Sequence, residues 1–148
     1  MFLDRDGTIN VDHGYVRVID QWQFTPDAPL ALKKLQSDGF ALAVVTNQSG
    51  IAAGLYGLRD MQQLHSYMQK LLSGFGMTID AIAYCPHARG STCLCRKPGV
   101  GMIQQITDKL GALDLPASWS IGDKLLDFEF GRNAGAKTAL IRSKYWQE

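Results

Sequence analysis

The chain has 148 residues, with 15 Lys+Arg against 14 Asp+Glu, three His and 46% hydrophobic residues. These proportions describe one domain, residues 1–148, large enough to bury about 68–70% of its unfolded surface around a single core without disulfide staples. A net charge of +1 lacks the excess that would recruit a nucleic-acid backbone or an anionic membrane by field alone, and no apolar run reaches the length of a membrane span. No basic-then-apolar leader opens the chain, so the expected location is the cytoplasm and the expected state a monomer, with neither nucleic acid nor membrane as partner.

An apolar stub at residues 1–4 comes first. Only three residues precede Asp4, whereas a central strand takes about five or six, so the first strand is expected to be short or its start truncated. Residues 28–37 place Leu30, Leu32 and Leu35 at helical spacing, and Gly39 supplies the stop. Residues 40–46 (FALAVVT) read as a buried strand. Residues 59–73 carry Met61, Leu64, Met68, Leu71 and Leu72 at three- and four-residue steps, which predicts a longer helix on which His65 is a surface or half-buried histidine. Strands are then expected at 79–84 (IDAIAY), 118–121 (SWSI) and 137–141 (KTALI), alternating with helices at 102–110 and 124–134. Trp22, Trp119 and Trp146 read as packing aromatics. This alternation predicts an α/β, Rossmann-like fold, a parallel sheet with helices on both faces. The irregular stretches 7–26, 47–58 and 86–101 each follow a predicted strand, so their polar residues converge on the edge where such sheets bind ligands.

On that edge lies Asp4-Arg5-Asp6-Gly7-Thr8. Residues two apart at a strand end point to one side, and two neighbouring carboxylates repel unless a cation or proton intervenes, which makes this a candidate Mg²⁺ site. A second acid group, Gly122-Asp123-Lys124-Leu125-Leu126-Asp127, ends another strand, where Asp123 could equally be a helix N-cap. Thr46-Asn47-Gln48-Ser49-Gly50 offers donors suited to anionic oxygens or to capping a turn, and Arg96-Lys97-Pro98 adds two adjacent cations. Cys85, His87, Cys93 and Cys95 bring three thiolates and an imidazole within eleven residues, the complement of a closed tetrahedral Zn²⁺ site. Its role would be structural: folding a loop that has little core of its own, so that Arg96 and Lys97 point into the site.

DxDGT, a strand-end Thr-Asn, Lys-Pro and Gly-Asp-x-x-x-Asp, in that order, resemble the four motifs of the haloacid dehalogenase superfamily of phosphohydrolases. Within it, Asp12-His13-Gly14-Tyr15, Thr46–Ile51 and the Cys-Pro-His…Cys-x-Cys-Arg-Lys-Pro segment at 85–98 look like the heptose-bisphosphate 7-phosphatase family, which is cytoplasmic, essentially capless and serves lipopolysaccharide synthesis. The resemblance implies a small phosphorylated sugar as substrate. It makes Asp4 the nucleophile that forms an aspartyl-phosphate, and Asp6 the group that protonates the leaving oxygen and then activates water. Mg²⁺ would sit on the Asp4 side chain, the Asp6 carbonyl and Asp123, while Thr46, Asn47 and Lys97 hold the phosphoryl group and Asp127 orients Lys97 or Lys124. The substrate site would include Asp12, His13, Gly14, Tyr15, Thr46, Asn47, Gln48, Ser49, Arg96, Lys97 and Lys124, with Arg96 as the fork for a second phosphate.

The chain departs from that family at Ala53, where relatives often have Arg, and at Val100, where they often have Pro. Three other readings compete. A histidinol-phosphate phosphatase would share the fold and the short cysteine loop, but Asp-His-Gly-Tyr and Gln48-Ser49-Gly50 favour heptose. A polynucleotide 3′-phosphatase would share DxDGT, Thr-Asn-Gln and Arg-Lys-Pro but should lack the zinc ligands and show a more basic face. A zinc-stabilised, non-catalytic binding module would require loss of Asp4, Asp6, Lys97 or Asp123, and all four are present.

Overall fold

The computed structural model describes residues 1–143. Five parallel strands form one sheet, β1 (Phe2–Leu3), β2 (Ala43–Asn47), β3 (Ala81–Cys85), β4 (Trp119–Gly122) and β5 (Lys137–Leu140), in the order β3-β2-β1-β4-β5. The connecting helices are α1 (Ala28–Ser37), α2 (Leu58–Ser73), α3 (Gly101–Leu110) and α4 (Leu125–Asn133). After β1 the chain builds outward through β2 and β3, then returns to the other side of β1 for β4 and β5. The strand order therefore reverses between β1 and β4, where an open α/β sheet leaves a crevice at its carboxyl edge.

Side-chain alternation along the strands sorts the core into two layers. Phe2, Ala43, Val45, Ala81 and Ala83 face Met102, Ile106 and Phe130 of α3 and α4. Leu3 and Val44 point the other way, onto Leu32 of α1 and Met68 and Leu72 of α2. Helices thus cover both faces, as the alternation of elements predicts. The first strand is short: Phe2 pairs with Ala43 and Ser120, Leu3 with Val44 and Ile121, and the chain leaves the sheet at Asp4.

Several expectations shift. The predicted strand at 40–46 begins only at Ala43, because Phe40 and Ala41 belong to the turn that follows α1, where Gly39 has φ +90°. Leu30 is 64% exposed; the buried stripe of α1 runs through Pro29 and Leu32 instead. Trp22 packs edge-on against Phe24, Trp119 lies under the Lys137 ammonium, and Trp146 falls outside the described residues.

Candidate active site and cysteine–histidine cluster

At the crevice between β1 and β4 a cavity of about 430 Å³ opens, a size suited to a small metabolite. Asp4, Asp6, Asp12, Gly14, Tyr15, Thr46, Asn47, Gln48, Ser49, Arg96, Lys97 and Lys124 all line it. Of the residues expected around a substrate, His13 is the exception. Asp12 Oδ1 accepts the Gly14 N–H at 2.8 Å, and this tight turn directs Gly14 and Tyr15 inward while His13 stays exposed. Tyr15 holds φ +51°, a left-handed conformation uncommon for a bulky side chain.

Lys97 forms the floor. Its ammonium is buried and donates to Asp4 Oδ1 at 2.9 Å, Asp127 Oδ1 at 2.5 Å and the Val45 carbonyl at 2.7 Å, which accounts for all three protons. Burial alone would lower the Lys97 pKa, but the charges of Asp4 and Asp127 outweigh it and raise it. Two carboxylates on one ammonium leave a surplus negative charge. Burial, together with the Asp4 charge, accordingly lifts Asp127 to about 6 against the pull of Lys97. The second Asp127 oxygen accepts the Lys124 N–H at 3.0 Å, so the N-cap of α4 is Lys124, closed by Asp127 from the first turn, and not Asp123.

Asp123 is left for another purpose. Its Oδ1 and the Asp6 carbonyl both lie within 3.2 Å of Lys124 Nζ, which also pairs with Asp12, so these oxygens face one point. Oxygens of Asp4, Asp123 and Asp127 fall within 4.8 Å of one another. Burial raises the Asp123 pKa, and the surrounding acids raise Lys124 although burial opposes them. Four carboxylates, Asp4, Asp12, Asp123 and Asp127, thus share two ammonium groups. This all-oxygen, negatively charged donor set fits a hard divalent cation. Asp127 commits one oxygen to the Lys97 ammonium and the other to the Lys124 N–H, whereas Asp4 gives Lys97 a single oxygen, so Asp4 and Asp123 are the carboxylates better placed to hold such a cation.

Two motif glycines make this crowding possible. A Cβ on Gly7, where φ is +90°, would stand 2.2 Å from Asp123 Oδ2, and one on Gly122 would stand 2.2 Å from the Asp127 carboxyl carbon.

The Asp6 carboxylate points away from the acid cluster. Arg5 forks onto it through Nε and Nη2 at 2.8–3.1 Å, Asn10 Nδ2 donates at 3.0 Å and Gln48 Nε2 at 3.1 Å. Gln48 also donates to Thr46 Oγ1 and accepts the Tyr56 hydroxyl at 2.5 Å, so its polar atoms position neighbours and are not open to a ligand. Thr46, accepting from Gln48, keeps its own hydroxyl proton for the cavity. Asn47 uses its carboxamide on the Lys97 backbone, at 3.0 Å and 3.3 Å, tying the end of β2 to the loop before α3. Expected phosphate holders therefore divide into two kinds: Thr46 offers the cavity a hydroxyl and Lys97 the charge of its ammonium, while Asn47 and Gln48 brace them.

Arg5, Tyr56, Arg89 and Leu126 were not anticipated. Arg5 has a signal in hindsight, since a residue between two strand-end carboxylates must point into the protein. There it is fully buried and meets the α2 residue His65, Nη1 to Nε2, at 3.2 Å. His65 is buried more deeply than the surface or half-buried placement expected for it, and burial with the Arg5 charge beside it lowers its pKa from 6.5 to about 3. A depressed histidine stabilises the fold above its unfolded pKa, and that contribution is lost as pH falls from 6.5 toward about 3. The raised pKa values of Asp123 and Asp127 act in the opposite sense. His65→Gln should therefore flatten the acid loss: between about pH 7 and pH 5 its urea midpoint should fall less than that of the parent chain. Parallel curves would sink the assignment.

On the loop after β3, the ligand atoms of Cys85, His87, Cys93 and Cys95 lie within 4.8 Å of one another. Cys85 Sγ is 3.6 Å from Cys93 Sγ and 3.4 Å from His87 Nδ1, which lies 3.2 Å from Cys95 Sγ. No disulfide links them. A tetrahedral Zn²⁺ with bonds of about 2.3 Å to sulfur and about 2.0 Å to nitrogen would separate its ligands by about 3.8 Å and 3.5 Å, so donor chemistry and spacing both fit. Burial pushes the Cys85 thiol up to about 12 and also raises Cys95, whereas a hydrogen bond from Ser91 brings Cys93 down to about 6.

Comparison with known proteins agrees with this geometry. Residues 1–140 match the family model described as polynucleotide kinase 3 phosphatase. A D-glycero-beta-D-manno-heptose-1,7-bisphosphate 7-phosphatase from Haemophilus ducreyi is 45% identical over 95% of this chain and 81% of that protein. The chain belongs to this phosphatase family. The heptose-bisphosphate 7-phosphatase of Escherichia coli is 44% identical over 97% of this chain and 78% of its own length. The crystal structure of D,D-heptose 1,7-bisphosphate phosphatase from B. bronchiseptica, complexed with magnesium and phosphate, superposes with a TM-score of 0.87 at 34% identity, covering 95% of this chain and 78% of that one. The family's fold, a haloacid dehalogenase-like parallel sheet, is the fold described above. Among the described residues, no helix is long and apolar enough to cross a membrane.

Proposed function

We propose that this chain hydrolyses the 7-phosphate of D-glycero-β-D-manno-heptose 1,7-bisphosphate through an aspartyl-phosphate on Asp4. The observation that carries the reading is the buried Asp4–Lys97–Asp127 cluster at the floor of the cavity, in a chain 45% identical to a phosphatase of that name. Lys97 donates to the Asp4 carboxylate, and its positive charge would attract the phosphoryl group as it arrives. An Asp4 oxygen forms the new P–O bond while the bond to the sugar oxygen breaks, and Asp6 in its acid form gives that oxygen its proton. Asp6, now a carboxylate, takes a proton from water as the water oxygen attacks phosphorus. The Asp4–phosphoryl bond breaks, inorganic phosphate leaves, and both side chains return to their starting states.

Asp4, Asp123 and the Asp6 carbonyl would hold Mg²⁺, whose charge would offset the repulsion between a carboxylate nucleophile and an anionic phosphate. Zn²⁺ is the ion we assign to Cys85, His87, Cys93 and Cys95, in a structural role. Arg96 and Arg89 reach the cavity from this loop, and Arg96 would read the second phosphate. Arg96→Ala should raise KM for the bisphosphate about tenfold or more, a loss on the scale of one charge-assisted contact, and change turnover of a simple monophosphate ester little. Equal losses on both would remove Arg96 from that role.

The family model's name raises a polynucleotide 3′-phosphatase reading, but near-balanced charge offers little of the cationic surface that holds a phosphate backbone. Phosphate release with Mg²⁺ should be measured on both anomers of the heptose bisphosphate, fructose 1,6-bisphosphate, histidinol phosphate and a 3′-phosphorylated oligonucleotide. The β-anomer should lead; preference for the histidinol ester or the oligonucleotide would replace the reading.

A further inference from the structure

Outside the cavity lies a buried polar group that the chemistry above does not use: His65, on the inner face of α2 beside Met61, Leu64 and Met68. Its only hydrogen-bond partner among the described residues is Arg5 Nη1, at 3.2 Å. Arg5 has five N–H donors and no contact with water, so every direction in which its guanidinium can rest must be met by an acceptor within the protein. Three acceptors define that plane: the Asp6 carboxylate on the fork of Nε and Nη2, the Val16 carbonyl on Nη2 at 2.9 Å, and His65 Nε2 on Nη1. Asp6 and Val16 both belong to the loop that the fork itself braces. His65 is the acceptor that comes from a regular element of the scaffold.

We propose that His65 is a positioning residue for the acid–base carboxylate: by fixing the Arg5 guanidinium against α2 it sets the orientation in which Asp6 meets the leaving oxygen. This rests on the reading of Asp6 as the proton donor. Because arginine can only donate, Nε2 must carry the lone pair and Nδ1 the proton, so the histidine is neutral and adds no charge beside the pair. A neutral acceptor suits the place, since a second cation beside the buried Arg5 guanidinium would stand there without a counterion of its own.

The arrangement predicts a loss confined to steps that need the proton. Sugar alkoxides leave only when protonated, whereas 4-nitrophenolate leaves without help. In single-turnover measurements His65→Leu should slow the first phosphoryl transfer from heptose bisphosphate about tenfold or more, with KM unchanged, and alter the 4-nitrophenol burst from 4-nitrophenyl phosphate less than about twofold. His65→Gln, which keeps an acceptor for Arg5, should restore the sugar-phosphate rate to within about threefold. A general packing defect would slow both substrates together and would not be rescued by glutamine, and either result overturns the proposal. If thermal melting shows His65→Leu unfolded, Arg5→Lys, which keeps the charge and loses the fork, carries the same test: the two substrates should separate, and equal effects on both would overturn it. Asp6→Asn separates the two levels. A normal sugar-phosphate rate in that variant overturns the Asp6 reading and this inference with it, whereas loss there beside an unaltered His65→Leu overturns this inference alone.

Discussion

Asp4→Asn should abolish phosphate release, by at least about 10³-fold, while leaving the fold as stable as before or more so. The amide matches the carboxylate in shape, so the β1 end, the Lys97 contact at 2.9 Å and the crowding at Gly7 all survive. What it lacks is a nucleophilic oxygen. Its effect on stability follows from the charge count at the floor of the cavity, where Lys97 now answers both Asp4 and Asp127. With Asp4 neutral, Lys97 and Asp127 form a one-to-one pair, and the repulsion that helps hold Asp127 near 6 disappears. The melting temperature should stay level or rise by a few degrees, the shift that about 1 kcal/mol produces in a chain of this size. Sites built for reaction often hold such unfavourable charge, and relieving it commonly exchanges activity for stability. Phosphate release and thermal melting on one preparation check both halves. A variant that keeps turnover removes Asp4 as nucleophile, and one that is inactive and strongly destabilised would mean the loss came from folding.

The residues that line the cavity were largely visible in the sequence, because strand ends, turns and acid spacing leave local marks. Asp4 and Asp6 follow a strand, Asp123 follows another, and the topology brings both ends to one crevice. Spacing could not tell which of two acids closes the cap of α4. Asp123 and Asp127 are both close to the strand–helix junction, and only the fold shows Asp127 reaching back to the Lys124 N–H while Asp123 meets the Lys124 ammonium. Contacts made across long sequence separations left no mark at all. His65 looks like any polar residue on an amphipathic helix until Arg5, 60 positions away, is brought beneath it. Asn47 and Gln48 carry donors that suit a phosphate, yet the fold commits both to neighbours, Asn47 to Lys97 and Gln48 to Asp6 and Tyr56. Leu30 marks the same limit for apolar spacing, since a helix face is buried only where something covers it.

Stripping the metal from the cysteine–histidine cluster should cost activity that Mg²⁺ cannot restore. Residues 86–100 contain no helix or strand, and Leu94, between two of the ligands, is 82% exposed, so apolar burial contributes little to this loop. Metal ligation would replace that missing core, as it does in small metal-folded modules. Lys97 lies two residues beyond Cys95, and its backbone is anchored on the far side by the Asn47 carboxamide at the end of β2. A loosened loop therefore moves both the ammonium that faces Asp4 and the Arg96 guanidinium at the cavity wall. The two proposed metal sites would differ in hardness, oxygen donors against thiolates and imidazole, which would let them be emptied in turn. A mild chelator should remove Mg²⁺ first, with full recovery when Mg²⁺ returns. Harsher, thiol-competing chelation should then lower turnover on the sugar bisphosphate about 10- to 100-fold, the range seen when a metal's supporting shell is disturbed, with recovery only on adding Zn²⁺. Cys93→Ser should behave like the stripped protein and show faster amide exchange across residues 86–98. Metal analysis that finds no zinc in protein purified under reducing conditions, or zinc-free protein with native kinetics and a protected loop, would sink the structural-zinc assignment, because Lys97 would then be held in place without it.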